Sequence, residues 1–250
     1  MTGASQSFTD KNAGTGKTLS VNAGYTLNDG NGGNNYTVNT VNNTTGVIDK
    51  AALTVIANND AKFVTKADNA GYAGVSYTGF VGGEDAGVLG GTLNITRSNA
   101  GIGEAAGIYN GVLNASGLTS GNYTISYTAG NYTVVPANQL LVRLNNVSAT
   151  YGSTPAYGVQ TAQYMLPDGT VVDVNSTVTG SHVSVNDGAG GNVDFNIAVT
   201  GAAYSTSNNL RVNSYQLDGG NVTGSSGNFS NNLTVLGART VNPLAITVSP

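Results

Sequence analysis

The sequence predicts an all-β protein, mainly antiparallel, built from small tandem β domains. Period-two alternation is the first observation. Val193, Phe195, Ile197 and Val199 alternate with Asp194, Asn196, Ala198 and Thr200, as a strand with one face buried requires. Tyr123, Ile125 and Tyr127 alternate with Thr124, Ser126 and Thr128, and Leu244, Ile246 and Val248 repeat the pattern near the end. The second observation is the turn chemistry between such runs: Asn28 to Gly33, Pro167-Asp168-Gly169, Asn186-Asp187-Gly188 and Asp218-Gly219-Gly220. Gly, Asn and Asp tolerate positive φ, so these clusters read as hairpin loops. Third, no twelve-residue window carries a 3.6-residue apolar stripe. One short helical turn fits Glu84 to Leu89, where acidic residues suit a helix start. Two topologies stay open: an immunoglobulin-like sandwich, or a β-grasp-like unit with that segment as a helix across a sheet.

Composition narrows the function classes. The chain has 250 residues and 25.1 kDa, the size of one large domain or two to three small ones. Charged residues are 9%, against about 25% in an average globular chain. Gly leads with 36 residues and hydrophobic residues make up 39%, enough to build cores. There is no Cys, which removes disulfides, thiolate metal sites and thiol nucleophiles. Nine basic residues in a net charge of −4 do not suit a nucleic-acid partner, whose phosphates need clustered Lys and Arg. His182 is the single histidine, leaving little room for His-based chemistry. The composition reads as a non-enzyme with no catalytic, cofactor-binding or metal residues. Residues 1 to 20 contain no apolar run of the signal-peptide kind, and no stretch is long enough to span a bilayer as a helix.

Internal similarity gives the domain organisation. A strand following a joint occurs three times, as Ala51 to Val55, Asn138 to Val142 and Leu244 to Val248. The aligned Val55, Val142 and Val248 are spaced by 87 and 106 residues. Related endings precede each joint: Gly33-Asn34-Asn35-Tyr36-Thr37-Val38, Ser120-Gly121-Asn122-Tyr123-Thr124-Ile125 and Gly227-Asn228-Phe229-Ser230. Residues 1–50 then read as the tail of a module, 51–136 as a complete one and 137–243 as a longer, divergent one. Residues 244–250 read as the first strand of another. A chain of this pattern is expected to be part of a tandem array, its units stabilised by themselves and their neighbours. Pro136 and Pro243 restrict the joints, which favours a stiff rod over loosely strung beads.

The middle module carries a series of motifs: Tyr77-Thr78-Gly79-Phe80, Gly82-Gly83-Glu84-Asp85, Leu89-Gly90-Gly91, Ala106-Gly107-Ile108-Tyr109 and Gly121-Asn122-Tyr123-Thr124-Ile125-Ser126-Tyr127. This series resembles the MBG-type modules found in tandem in very large bacterial surface and secreted adhesins. Phe8 to Lys17 and Gly24-Tyr25-Thr26-Leu27 resemble the end of the companion YDG-type repeat. The third module shares Tyr151-Gly152 but has a longer middle and Asn228-Phe229-Ser230 in place of Asn-Tyr-Thr. The resemblance covers about the first 136 residues. It implies an extracellular, cell-surface adhesin of the haemagglutinin-like, two-partner-secreted class, with a role in cell adhesion and biofilm, and no catalytic residues.

Individual motifs read mostly as structure. Gly14-Thr15-Gly16-Lys17-Thr18 lacks the first Gly of a phosphate-binding loop, since Lys11 stands there, and no strand-to-helix context surrounds it. Asp29, Asp187 and Asp218 are candidate Ca²⁺ ligands, but each loop offers a single acid, and turn formation explains them without metal. Glu84 and Asp85 are sequence neighbours, Glu104 lies far along the chain, and Asp168 and Asp173 flank a hairpin, so paired-carboxylate catalysis finds no obvious pair. His182 with Ser181 and Ser184 makes a triad only if an Asp packs behind it. Tyr123, Tyr127 and Tyr132 suit half-buried β faces. Sequons at Asn35, Asn94, Asn122, Asn131, Asn146, Asn175, Asn221, Asn228 and Asn232 offer glycosylation sites. No Lys follows Lys66, so the third module cannot form an isopeptide staple from its own residues.

The favoured expectation is a structural stalk segment of an extracellular bacterial adhesin, with neighbouring repeats as its partners. The alternative is a β module binding glycans or host surface proteins through exposed Tyr and Asn-rich loops. An enzymatic parallel β-helix fits worst, because solenoid coils repeat every 20 to 30 residues.

Overall fold

A computed structural model describes residues 1–101 and 104–248; Ser249 and Pro250 of the segment read as a further first strand lie outside it. The described residues are almost wholly β, with mostly antiparallel sheets. They fall into two compact units, one of Met1–Ala52 with Thr119–Thr124, the other of Leu53–Leu118 with Ile125–Pro250.

In the first unit, β1 (Gln6–Phe8), β2 (Gly14–Val21) and β3 (Asn43–Ile48) form an antiparallel sheet in chain order. Gly46 is needed there, because a Cβ would sit 2.5 Å from both Leu19 Cδ1 and Phe8 Cε1. The string Gly14 to Thr18 lies on β2, bulged at Gly16 (φ 67°), with no helix after it. Asn122 ties its own short segment into this unit: its Oδ1 accepts the Ala13 N–H at 2.9 Å, and its carbonyl accepts that of Ala51 at 3.0 Å.

Apart from Ala51, Ala52, Thr119, Tyr123 and Thr124, the second unit begins with β4 (Ala51–Ala57), β5 (Asp60–Phe63), β6 (Val75–Thr78), β7 (Gly90–Arg97), β8 (Gly107–Thr119), β9 (Tyr123–Thr128) and β10 (Gly130–Val135). Their sheets are ordered β6-β4-β9 and β5-β10-β8-β7. Alternation does what the sequence asks: Val55 and Ala57, Leu113 and Ala115, and Tyr132 and Val134 point into one core between the sheets. The chain continues through β11 (Gln139–Leu144), β12 (Val147–Thr150), β13 (Val159–Met165), β14 (Val171–Asp173) and β15 (Asn175–Thr179). It ends with β16 (His182–Asn186), β17 (Asn192–Val199), β18 (Asn213–Ser225), β19 (Ser230–Leu236) and β20 (Ala238–Asn242). These form sheets ordered β14-β13-β11-β19 and β12-β20-β18-β17-β16-β15 around a second core containing Val142, Val183, Val193 and Phe195.

The two halves are built alike. Without β14, β15 and β16, the order β13-β11-β19 repeats β6-β4-β9, and β12-β20-β18-β17 repeats β5-β10-β8-β7. In both, the second strand runs parallel to the last, as β5 with β10 and β12 with β20. In both, a 13-residue strand, β8 or β18, lies beside that last strand. The longer middle of the later segment is therefore three added strands on the outside of a common plan.

Two expectations change. Asp218-Gly219-Gly220 is not a hairpin loop but the middle of β18. The glycine serves packing: a Cβ on Gly219 would lie 2.7 Å from Leu233 and 2.9 Å from Val235, across the sandwich. The turn after Glu84 exists as a single 3-10 turn, Ala86–Val88, capped by the Asp85 carboxylate but burying no residue. A β-grasp unit needs a helix packed across its sheet, and this turn does not supply one.

Candidate functional site: the joint at Pro136

The chain passes from β10 to β11 inside the second unit, and the residues that fasten this joint come from four places. The first is a corner made by two consecutive asparagines. Asn58 and Asn59 link β4 to β5: the Asn58 N–H donates to the Gly74 carbonyl at 3.0 Å, and Asn59 Oδ1 accepts the Asn131 N–H at 2.8 Å. Asn145 and Asn146 link β11 to β12 the same way, the Asn145 N–H donating to Gly158 at 2.9 Å and Asn146 Oδ1 accepting the Ala238 N–H at 2.9 Å. A side-chain amide here replaces the ladder partner that the corner removes, so no backbone donor is left buried and unpaired. Glycine precedes each donor, because a Cβ on Gly130 would stand 2.4 Å from the Ala57 carbonyl.

The second component is apolar. Ala61 and Phe63 of β5 and Val135 of β10 form one buried cluster with Leu141 of β11, Met165 of β13 and Leu236 of β19. Three residues before the joint and three after it thus share a core. Asn138, at φ 60°, turns the chain, a conformation Asn adopts more readily than other non-glycine residues. Its N–H donates to Met165 at 2.7 Å and its carbonyl accepts from Ser230 at 2.8 Å.

The third component is ionic. Asp60 is fully buried, and Arg143 reaches it from β11, with Nη1 2.5 Å from Asp60 Oδ1 and Nη2 donating to the Ala61 carbonyl at 2.5 Å. A buried carboxylate is tolerable only when paired and hydrogen-bonded, and here Arg143 and the Ala61 N–H serve Oδ1 while Oδ2 has no hydrogen-bond partner. The fourth is a pair of side chains from β18. Gln216 Oε1 accepts the Asn59 N–H at 2.8 Å, and Ser214 Oγ donates to the Tyr77 carbonyl at 2.8 Å.

A separate charge cluster closes the earlier half. Lys62 contacts both Asp68 (3.2 Å) and Glu104, while Arg97 donates to Asp68 at 2.9 Å and to Glu104 at 2.5 Å. Arg97 lies 4.2 Å from the centre of the Tyr132 ring, whose hydroxyl donates to Asp68 at 3.0 Å. Hydrogen bonds from Lys62 and Arg97 hold the Glu104 carboxyl down at about 2. Burial pushes Asp68 up, but hydrogen bonds from Tyr132 and Lys62 and the charge of Arg97 outweigh it and leave it below the usual range. Burial, followed by the charge of Asp68, raises the Tyr132 phenol far above its ordinary value. Every acid here faces a cation, which is the chemistry of a clamp, since none is left poised to take a proton.

The candidate residues read from sequence fall elsewhere. Asp29 Oδ1 accepts the N–H groups of Asn31 and Gly33, and Asp187 Oδ1 those of Ala189 and Gly191. Backbone donors hold the Asp29 carboxyl below its usual range; for Asp187 the Ser226 hydroxyl leads, at 2.6 Å. Asp218 sits on β18 with Oδ1 on the Gly219 N–H. No group of three or more His, Asp or Glu that could hold a metal ion occurs among the described residues. Asp168 caps its turn on the Thr170 N–H and Asp173 accepts from Gln163, while Glu104 belongs to the clamp. Asp194 does stand beside His182, at 3.3 Å, but the Ser184 hydroxyl donates to Asn192, so the structure assembles no triad. Tyr123 and Tyr132 are buried; Tyr127 is 38% exposed and uses its hydroxyl on the backbone of Leu118. Of the sequon asparagines, Asn122, Asn131 and Asn146 spend their side chains on backbone N–H groups.

Sequence reasoning missed the corners, Asp60 with Arg143, and the β18 pair. A signal for the corners was present: Leu53-Thr54-Val55-Ile56-Ala57-Asn58-Asn59 recurs as Leu140-Leu141-Val142-Arg143-Leu144-Asn145-Asn146. Among the described residues, no helix is long and apolar enough to cross a membrane. No curated protein and no solved structure matches the chain. Residues 53–133 match the family described as MBG domain (YGX type), and this stretch coincides with β4 to β10 and its own core. Residues 53–133 therefore carry an MBG-type β module.

Proposed function

We propose that the chain is a structural spacer segment of an extracellular bacterial adhesin, its modules holding a distal adhesive region away from the cell surface. The observation that supports this most is the joint at Pro136. Six buried apolar side chains and a buried ion pair join two modules of the same plan, which suits a segment that must not bend there. Residues 1–50 are read as the end of a YDG-type repeat, and Leu244 to Val248 as the opening strand of another module. Within the parent protein, exchanging residues 53–243 for two unrelated rigid β modules is expected to preserve attachment, and deleting them to weaken it. Loss of attachment in the exchanged protein, still displayed at normal levels, would contradict the spacer role.

One observation favours a second reading. Tyr204 is exposed beside Asn208 and Asn209, on a polar pocket of about 190 Å³ that also includes Ser153 and Thr154. An aromatic face with amides and hydroxyls around it is the chemistry that holds a sugar. A glycan-array signal lost in Tyr204→Ala would support it, and an array without signal would leave the spacer reading alone.

A further inference from the structure

The joint at Pro136 shows which surface of one module receives the next: Asn59, Asp60, Ala61, Phe63 and Val135 are the positions covered by the following segment. Strand pairing transfers these positions to the later module without ambiguity. Asp60 pairs with Tyr132 and Phe63 with Val135, while Val147 pairs with Arg239 and Thr150 with Asn242. The equivalent surface is therefore Asn146, Val147, Ser148, Thr150 and Asn242. Asn146, Val147, Ser148 and Asn242, with Thr240, Pro243 and Ala245 at the start of the closing segment, line part of a groove of about 950 Å³, and Tyr77, Phe80 and the loop to Ala86 from the earlier module line the rest.

We infer that this groove is the seat of a further module of the same fold, beginning at Leu244, and that the loop Phe80 to Ala86 forms part of that seat. The inference rests on the tandem reading of the chain and adds to it a contact between modules that are not adjacent in sequence. The chemistry of the two surfaces argues for that occupant. Aligned on Val142 and Val248, Leu141 corresponds to Thr247 and Arg143 to Ser249. At Pro136, Leu141 meets Phe63 and Val135, and Arg143 meets Asp60. On the later module those partners are Thr150, Asn242 and Val147. Both sides have changed together: apolar opposite apolar has become polar opposite polar, and the acid and its arginine have both gone. The segment that would carry the contact keeps the alternation of a first strand, with Ile246 and Val248 at the positions that Leu53 and Val55 hold in β4. The groove's other wall, with Tyr77 and Phe80 rings 5.5 Å apart, offers an incoming module an aromatic face that belongs to the module before last. Stability in such an array would then extend beyond nearest neighbours, unlike the simplest linear repeat.

The test extends the chain itself: residues 1–248 followed by a second copy of 143–243, so that Leu244 to Val248 replace the first strand of the added copy. Hydrogen exchange is compared with that of the 250-residue chain. Amides of Asn146 to Ser148 and of Phe80 to Ala86 are both expected to slow by about tenfold or more. Slowing at Asn146 to Ser148 alone would overturn the contribution of the loop while leaving the tandem reading intact. No slowing at either place, with the core amides of the added copy protected, would overturn the seat. An added copy whose core amides stay unprotected would show that Leu244 to Val248 cannot act as a first strand, and the inference falls together with that part of the tandem reading.

Discussion

The two ends that close on a proline, at Pro136 and at Pro243, share a backbone plan and differ in side chains. Each has an Asn-Asn corner, a glycine before the donor that the corner satisfies, and a parallel pair of second and last strands. At Pro136 the surface is apolar with one buried carboxylate, and it is covered. At Pro243 the same positions carry Val147, Thr150 and Asn242. The comparison separates two jobs that a repeat must do. Corner and ladder shape each half, while outward residues of the first, second and last strands fasten the earlier half to the later one at Pro136.

Replacing residues on one side of this comparison should break it in proportion. Arg143→Ala leaves the buried Asp60 without its cation, and denaturant unfolding should show a loss of about 3–5 kcal/mol. Giving the joint at Pro136 the side chains of its counterpart, Asp60→Val with Arg143→Ser, should recover most of that loss, because no uncompensated charge remains. Leu141→Ala empties one place in the six-residue cluster and is expected to cost about 2 kcal/mol, the lower range for a buried leucine. Asn146→Ala should cost about 1 kcal/mol by leaving the buried Ala238 N–H unpaired; the same change at Asn59 should match it if the corners are equivalent. The smallest effect tests the clamp. Glu104 has an ordinary value of 4.5 and is held at about 2 in the fold, so its folded pKa is depressed. Its contribution to stability is complete above its ordinary value and disappears as the pH falls towards 2. Glu104→Gln should flatten the stability profile in that acid window and leave its shape at neutral pH unchanged.

Local chemistry made the class of the fold legible. Alternation placed β9 and β17, and the strings at Asn28 and Pro167 turned as their residues predict. The recurrence of Leu53-Thr54-Val55 as Leu140-Leu141-Val142 located the first strands of the two halves. Asp218-Gly219-Gly220 misled because a glycine that permits a turn and a glycine that makes room for Leu233 and Val235 look identical in one dimension. Asp60 and Arg143, 83 residues apart, carry no local signal of their meeting; a lone acid after two asparagines reads as a solvated corner. The family match stops at residue 133, and only the strand order reveals that the later, divergent segment adopts the same plan with three strands added.

The central claim is that the joint at Pro136 makes its two modules one cooperative body. Hydrogen exchange in rising denaturant tests it most directly, by following the core amides of Val55 and Leu113 on one side and of Val183 and Val193 on the other. Both sets are predicted to lose protection at the same denaturant concentration, and Arg143→Ala to separate them. Two distinct transitions in the unmodified chain would contradict the claim.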